Sequence, residues 1–192
     1  MGETKNILLC GVGGQGIITA SKILSAGLIS AGYDVKMSEV HGMAQRGGSV
    51  TTQVRFGEKV WSPIIGLGQA DILVSFETME TGKWLEFLKS DGKIVVNDYR
   101  IPSAPILAGA SDYPEGVVEA LSNKADTTAI KAAEIAVGLG NIRTQNVVLL
   151  GALVKAMGLN EIDWEDVIKT TVKPKFVDVN IQAIKAGMDM IK

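Results

Sequence analysis

Short apolar runs and amphipathic stretches alternate along the first hundred residues. Residues 6–10 (NILLC) are apolar and lead into 11-GVGGQG-16, the pattern of a buried strand entering a tight turn. Ile17, Ala20, Ile23, Leu24, Leu28 and Ala31 then recur at helical spacing within residues 14–31, and Gly32 ends the helix. Residues 34–40 and 49–56 read as strands, the second rich in β-branched side chains, followed by a turn at 56–59 and a short strand at 60–61. Residues 71–76 (DILVSF) form another buried strand, 79–88 a helix, and 93–97 (KIVVN) a strand after a turn at Gly92.

The pattern changes beyond residue 97. The segment 98–116 holds Pro102, Pro105 and Pro114 and reads as irregular chain with one short strand near Ile106. From Thr127 the pattern is helical almost to the end. Residues 144–157 are apolar on most faces, which predicts a buried helix. Asp163 is placed to cap a helix over 164–172. Pro174 suits the first turn of a last helix, whose Val177, Ile181, Ile184, Met188 and Ile191 share one stripe. Strands alternating with helices first, and helices clustering last, predict α/β: a single three-layer domain over residues 1–192, with a mostly parallel Rossmann-like sheet and a helical C-terminal part.

Composition narrows the function. The net charge of −2 over 192 residues gives no electrostatic reason for nucleic acid or an anionic membrane as partner. No apolar run reaches bilayer-spanning length, and the first six residues are not signal-like, so an intracellular, cytoplasmic protein is expected. One cysteine and one histidine do not suffice for an iron–sulfur cluster or a structural zinc site, so no metal site is expected on this chain.

Two segments carry candidate chemistry. Gly11, Gly13 and Gly16 match G-x-G-x-x-G, after a strand and opening a helix. Glycines let a ligand approach the backbone, and a helix start suits a phosphate. The competing reading is a tight turn whose glycines serve packing alone. Glu39, near the end of the second strand, is where a dinucleotide site holds the ribose, so NAD stays open; Glu39 could equally brace the segment that follows. That segment, 41-HGMAQRGG-48, lies where loops at the carboxyl ends of parallel strands meet. Arg46 could pair with a phosphate or carboxylate, Gln45 could hydrogen-bond a polar ligand, and His41 could donate, accept or titrate near neutrality. Gly47 and Gly48 let the chain turn into the next strand. Alternatively, His41 and Gln45 satisfy loop backbone and Arg46 makes a surface or interchain ion pair. Cys10 reads as an inert buried thiol, Trp61, Trp84 and Trp164 as packing residues of the core or of a subunit interface, Glu77 as a helix cap, and Arg143, Gln145 and Asn146 as the entry to a helix.

GVGGQGI followed by SEVHGMAQRGGSV resembles the beta subunits of indolepyruvate ferredoxin oxidoreductases, in the gamma-domain family of 2-oxoacid:ferredoxin oxidoreductases. The resemblance extends through VRFG, LGQADILVSFE and 180-NIQAIKAG-187. It implies the small subunit of an enzyme, inactive alone, that converts an aryl 2-oxoacid and coenzyme A to an acyl-CoA, CO2 and reduced ferredoxin. It also implies a larger alpha subunit that carries thiamine diphosphate and iron–sulfur clusters and meets ferredoxin. The segment 90-SDGK-93 lacks the G-D-G start of a thiamine diphosphate motif. For this chain the resemblance implies coenzyme A binding or completion of the partner's active site. The diphosphate would lie near Gly13, Gly14, Gln15 and Gly16 with Arg46 assisting, and the expected binding set is completed by Gly11, Ser38, Glu39, His41, Gln45, Gly47 and Gly48. No catalytic residue is expected. The alternatives are a free-standing NAD(P)-binding oxidoreductase and a non-enzymatic nucleotide-binding assembly module.

Overall fold

Residues Lys5–Val12 form β1, a strand buried from Asn6 onward, as its continuous apolar run requires of a strand covered on both faces. The computed structural model describes residues 3–41 and 48–191, with His41 through its backbone alone. After β1 come α1 (Ile17–Ser30), β2 (Asp34–His41), β3 (Ser49–Gly57), β4 (Ala70–Ser75) and α2 (Thr78–Trp84). Then follow β5 (Leu88–Asn97), α3 (Ala104–Leu107), α4 (Val117–Ser122), β6 (Asp126–Ile130), α5 (Ala132–Gly138), α6 (Gln145–Ala156), α7 (Trp164–Thr171) and α8 (Val177–Asp189). The six strands form one sheet in the order β2-β3-β1-β4-β5-β6. β1, β4, β5 and β6 run parallel, and β3 runs antiparallel to both its neighbours, so the mostly parallel three-layer α/β expectation is borne out.

Alternation along β1 divides the core. Ile7 and Leu9 face a large apolar cluster with Ile23, Leu24, Val148, Ile168 and Ile184, built by α1, α6, α7 and α8. Leu8 and Cys10 face a smaller one. This second layer is covered by Trp84, Leu85 and Phe87 around the end of α2, by Leu121 of α4, and by Ile65 from the β3–β4 connection. α1 ends as its sequence dictates: Gly32 has φ 87°, and the Tyr33 N–H returns to the Leu28 carbonyl at 3.1 Å. Asp163 caps α7 as expected, accepting from the Asp166 N–H at 3.0 Å.

α6 and α8 touch backbone to backbone. A Cβ on Gly187 would stand 1.8 Å from the Val148 carbonyl oxygen, and one on Gly151 would stand 2.0 Å from that of Ile184. This explains why the buried face of α8 is Asn180, Ala183, Ile184 and Gly187. Of the expected stripe only Ile184 is fully buried; Val177, Ile181, Met188 and Ile191 flank the contact, because axes this close leave no room for them between the helices.

Five local expectations are corrected. Gly92 is not a turn but lies within β5, which begins at Leu88. Residues 60–61 are not a strand: Val60 is a buried anchor in an irregular connection, its N–H held by Asp34 Oδ2 at 2.9 Å. The segment near Ile106 is helix α3, with Pro105 in its first turn. The helix over 79–88 stops at Trp84, and a 3-10 turn, Leu85–Phe87, leads into β5. Chain expected to be helical from Thr127 opens instead with β6, an edge strand whose only buried residue is Ile130. No helix of the described residues is long and apolar enough to cross a membrane.

Candidate ligand-binding site

The glycine turn sits at the carboxyl end of β1, where α1 begins. Gly14 (φ 99°) and Gly16 (φ 82°) are left-handed, conformations that a side chain would strain. No side chain caps α1, and its first turn holds no acidic residue. The N–H groups of residues 17–19 therefore have no intrahelical acceptor, and the positive end of the helix dipole stands open. The turn is held from three sides. The Gly13 N–H donates to the Gly48 carbonyl at 2.9 Å. Asn146 Nδ2, at the start of α6, donates to the Gly16 carbonyl at 3.1 Å. Gln15 turns inward and bonds at both ends: Oε1 accepts from the Val12 N–H at 2.8 Å, and Nε2 donates to the Phe76 carbonyl at 2.6 Å.

A cavity of about 800 Å³ opens beside this turn. Gly14, Gly16, Thr19 and Lys22 line one side. Arg143, Gln145 and Asn146, entering α6, line another, and Lys173 and Phe176 of the α7–α8 connection close it together with Asn180 of α8. Its described lining holds three cations, Lys22, Arg143 and Lys173, and no carboxylate. The first turns of both α1 and α6 border it, and neither carries an acidic residue. Basic side chains and two helix starts without acidic neighbours are an arrangement that suits a multiply charged anion. The size is that of a pocket for a cofactor-sized ligand. Arg143, Gln145 and Asn146 do form the helix entry read from sequence, and also line the cavity. Lys22 and Lys173 were not legible, because only folding brings them to the glycines.

The other expected site residues are placed differently. Gly11 lies within β1, and a Cβ there would meet Gln15 Oε1 and Phe76 Cβ at 2.8 Å, so its missing side chain serves packing. Ser38 and Glu39 lie on β2, an edge strand separated from β1 by β3. Glu39 opposes Thr52 and stands two strand spacings, about 9–10 Å, from β1. In a dinucleotide fold the second strand adjoins the first, which is what brings its acidic residue to the ribose. The inserted β3 removes that geometry. The His41 backbone pairs with Val50 and Ser49 pairs with Val12, so the β2–β3 connection leaves the sheet at the glycine-turn end, as expected. Gln45, Arg46 and Gly47 lie outside the described residues, as does the His41 side chain.

Comparison with known proteins now identifies the chain's relatives. The family model for pyruvate ferredoxin/flavodoxin oxidoreductase matches residues 6–190. The chain belongs to this family. It is 40% identical to the indolepyruvate oxidoreductase subunit IorB of Thermococcus kodakarensis, over 97% of this chain and 96% of that one. It is also 40% identical to the subunit of the same name from Pyrococcus horikoshii, at the same coverage. The crystal structure of a keto/oxoacid ferredoxin oxidoreductase gamma subunit from Geobacter sulfurreducens shares the fold, with a TM-score of 0.71 at 24% identity over 97% of each chain. The resemblance drawn from the glycine motif and the loop after it is borne out.

Elsewhere at this end of the sheet, the oxidoreductase-family chain shows bracing rather than reactive groups. Burial pushes the Cys10 thiol up to about 12, so it is no nucleophile at neutral pH. Glu77 is fully buried and caps α2 as expected, Oε2 accepting from the Glu80 N–H at 2.9 Å. Its Oε1 accepts from the Tyr113 hydroxyl at 2.5 Å and the Ile101 N–H at 3.1 Å. Burial, then the Glu77 carboxylate, hold the Tyr113 phenol well above its ordinary range. No three His, Cys, Asp or Glu side chains among the described residues group to hold a metal ion. Gly92 of SDGK lies inside β5, where a Cβ would stand 2.6 Å from Leu88 Cδ1 and 3.1 Å from the Ala70 carbonyl oxygen. Its place is in sheet packing, and it does not fit a diphosphate site.

Proposed function

We propose that this chain is the small subunit of an indolepyruvate-type 2-oxoacid:ferredoxin oxidoreductase, and that it holds coenzyme A by its phosphates while a larger subunit performs the chemistry. The observation that carries the reading is the cavity at the glycine turn, with three cations, two helix starts and no carboxylate in its described lining. Coenzyme A carries a diphosphate and a ribose phosphate, the charges such a lining suits. Backbone N–H groups near Gly14 and Gly16 would take the diphosphate, and Lys22, Arg143 and Lys173 the remaining charge. Fixing the phosphates leaves the long pantetheine arm to carry the thiol out to the acyl intermediate, catalysis by positioning rather than by bond-making. Thiamine diphosphate and iron–sulfur clusters belong on the larger subunit, which also meets ferredoxin, and the assembly works in the cytoplasm. The 41–48 segment and the largely exposed chain 98–116 leave the sheet at the same end and would cover the partner's active site.

The test is coenzyme A titration of the assembled enzyme. Arg143→Ala and Lys173→Ala should each raise the KM for coenzyme A by roughly 3- to 10-fold, with less effect at high salt, because these side chains are exposed. The KM for the 2-oxoacid should stay unchanged. Unaltered coenzyme A kinetics in the double variant would overturn the assignment.

A further inference from the structure

Gln15 lies in the middle of the glycine turn and borders the cavity, yet its side-chain amide turns into the fold. Its side chain is 8% exposed, and both ends of its amide are already engaged inside the fold. We propose that Gln15 is a positioning residue for phosphate binding: its inward amide turns the backbone N–H groups of the glycine turn toward the cavity. This rests on the reading that the turn holds the diphosphate of coenzyme A.

The geometry works through two links. Between Gly14 and Gly16, both left-handed, Gln15 is the one residue of the turn with a side chain to anchor. Oε1 takes the N–H of Val12, the last residue of β1, and Nε2 reaches the carbonyl of Phe76, just past the end of β4. The turn is thereby tied to two adjacent parallel strands. Phe76 is itself fixed: its carbonyl also accepts from Asn97 Nδ2 at 3.1 Å, and Asn97 Oδ1 accepts from the Ala132 N–H at 3.1 Å. One chain of hydrogen bonds therefore runs from the turn across the carboxyl ends of β4 and β5 to the start of α5. The Gly13 and Gln15 N–H groups are bonded to the Gly48 and Val12 carbonyls, at 2.9 and 3.2 Å. With the side chain held beneath the turn, the N–H groups of Gly14, Gly16 and the first turn of α1 are the ones left to face an anion.

The chemistry specifies an amide. A carboxylate of the same size keeps the bond from Val12 but sets an oxygen against the Phe76 carbonyl. A thioether of similar length supplies neither strong bond. Gln15→Glu and Gln15→Met therefore loosen the turn while keeping a side chain of similar length.

The assembled two-subunit enzyme is assayed with coenzyme A and with pantetheine, a thiol acceptor that lacks the diphosphate. In Gln15→Glu the KM for coenzyme A should rise roughly tenfold, the effect of one lost hydrogen bond and one new repulsion. kcat should hold, and the kinetic constants with pantetheine should match those of the wild type. Gln15→Met should follow the same pattern; if it does not assemble, Gln15→Glu carries the test alone. Equal losses with both thiols would mean general damage and would overturn the proposal, as would an unchanged KM for coenzyme A. Gly14→Val separates the two readings, because at φ 99° it distorts the turn directly and its side chain enters open space, while leaving the Gln15 amide chemically unchanged. If Gly14→Val raises the coenzyme A KM and Gln15→Glu does not, only the positioning role fails. If neither does, the phosphate site itself is wrong.

Discussion

Replacing Gly16 by alanine probes the joint between the glycine turn and α6. Two costs arise. At φ 82° alanine is held in a left-handed conformation, worth about 1–2 kcal/mol. Its Cβ would also stand 2.6 Å from Asn146 Nδ2 and 3.2 Å from Asn146 Cγ, so that side chain must swing away and give up its bond to the Gly16 carbonyl, a further loss of about 0.5–1.5 kcal/mol. Asn146 is 6% exposed and has little room in which to move. The total should approach about 3 kcal/mol, which for a chain of this size lowers the melting temperature by roughly 6–12 °C. Gly14→Ala is the matched control: φ is 99°, but nothing lies within 4 Å of the new methyl, so only the conformational cost applies. Thermal unfolding of both variants, alone and combined with Asn146→Ala, forms the assay. Removing Asn146 should relieve the clash, so that Gly16→Ala then costs no more than Gly14→Ala. If Gly16→Ala melts no lower than Gly14→Ala in the presence of Asn146, the proposed joint does not exist.

Gly187→Ala should destabilise by at least about 3 kcal/mol in denaturant titration, because α8 must lift off the Val148 carbonyl. Gly138→Ala, whose methyl meets nothing, should be neutral or stabilise by about 0.5–1 kcal/mol. Asp163→Ala should remove about 1 kcal/mol in the same assay by uncapping α7, whereas Asp163→Asn should restore most of it. Tyr113 gives a pH dependence. Its folded phenol stays protonated above the ordinary value of about 10, so the unfolded chain releases that proton first, and stability is complete below pH 10 and falls as pH rises beyond it. Urea unfolding between pH 8 and 11 should therefore decline more steeply for the wild type than for Tyr113→Phe; parallel slopes would refute the assignment.

What could be read from the sequence was what local chemistry dictates. The run NILLC before GVGGQG required a buried strand and a tight turn, and Asp163 ahead of an amphipathic stretch required a cap. β6 leaves little mark in the sequence because DTTAI buries only Ile130 and has a partner on one side alone. The antiparallel insertion of β3 was equally hidden, since strand direction leaves no mark on composition; it is this insertion that carries Glu39 away from β1. Gln15 stands in a motif that points to a ligand, and a sequence does not show that its side chain turns inward. The cavity was the least legible feature, for Lys22, Arg143 and Lys173 meet only when α1, α6 and the α7–α8 connection pack together. Gly187 looked like part of a family signature, and the structure gives its cause: two helices in backbone contact.

The account rests on a division of labour, with phosphate binding on this chain and bond-breaking on its partner. The direct measurement is indolepyruvate- and coenzyme A-dependent reduction of ferredoxin by this chain alone, by the larger subunit alone, and by the two recombined. Full turnover is predicted only on recombination, with coenzyme A affinity following substitutions at Gly14 and Arg143. Turnover by this chain unaided, or a coenzyme A affinity of the larger subunit that this chain leaves unchanged, would contradict it.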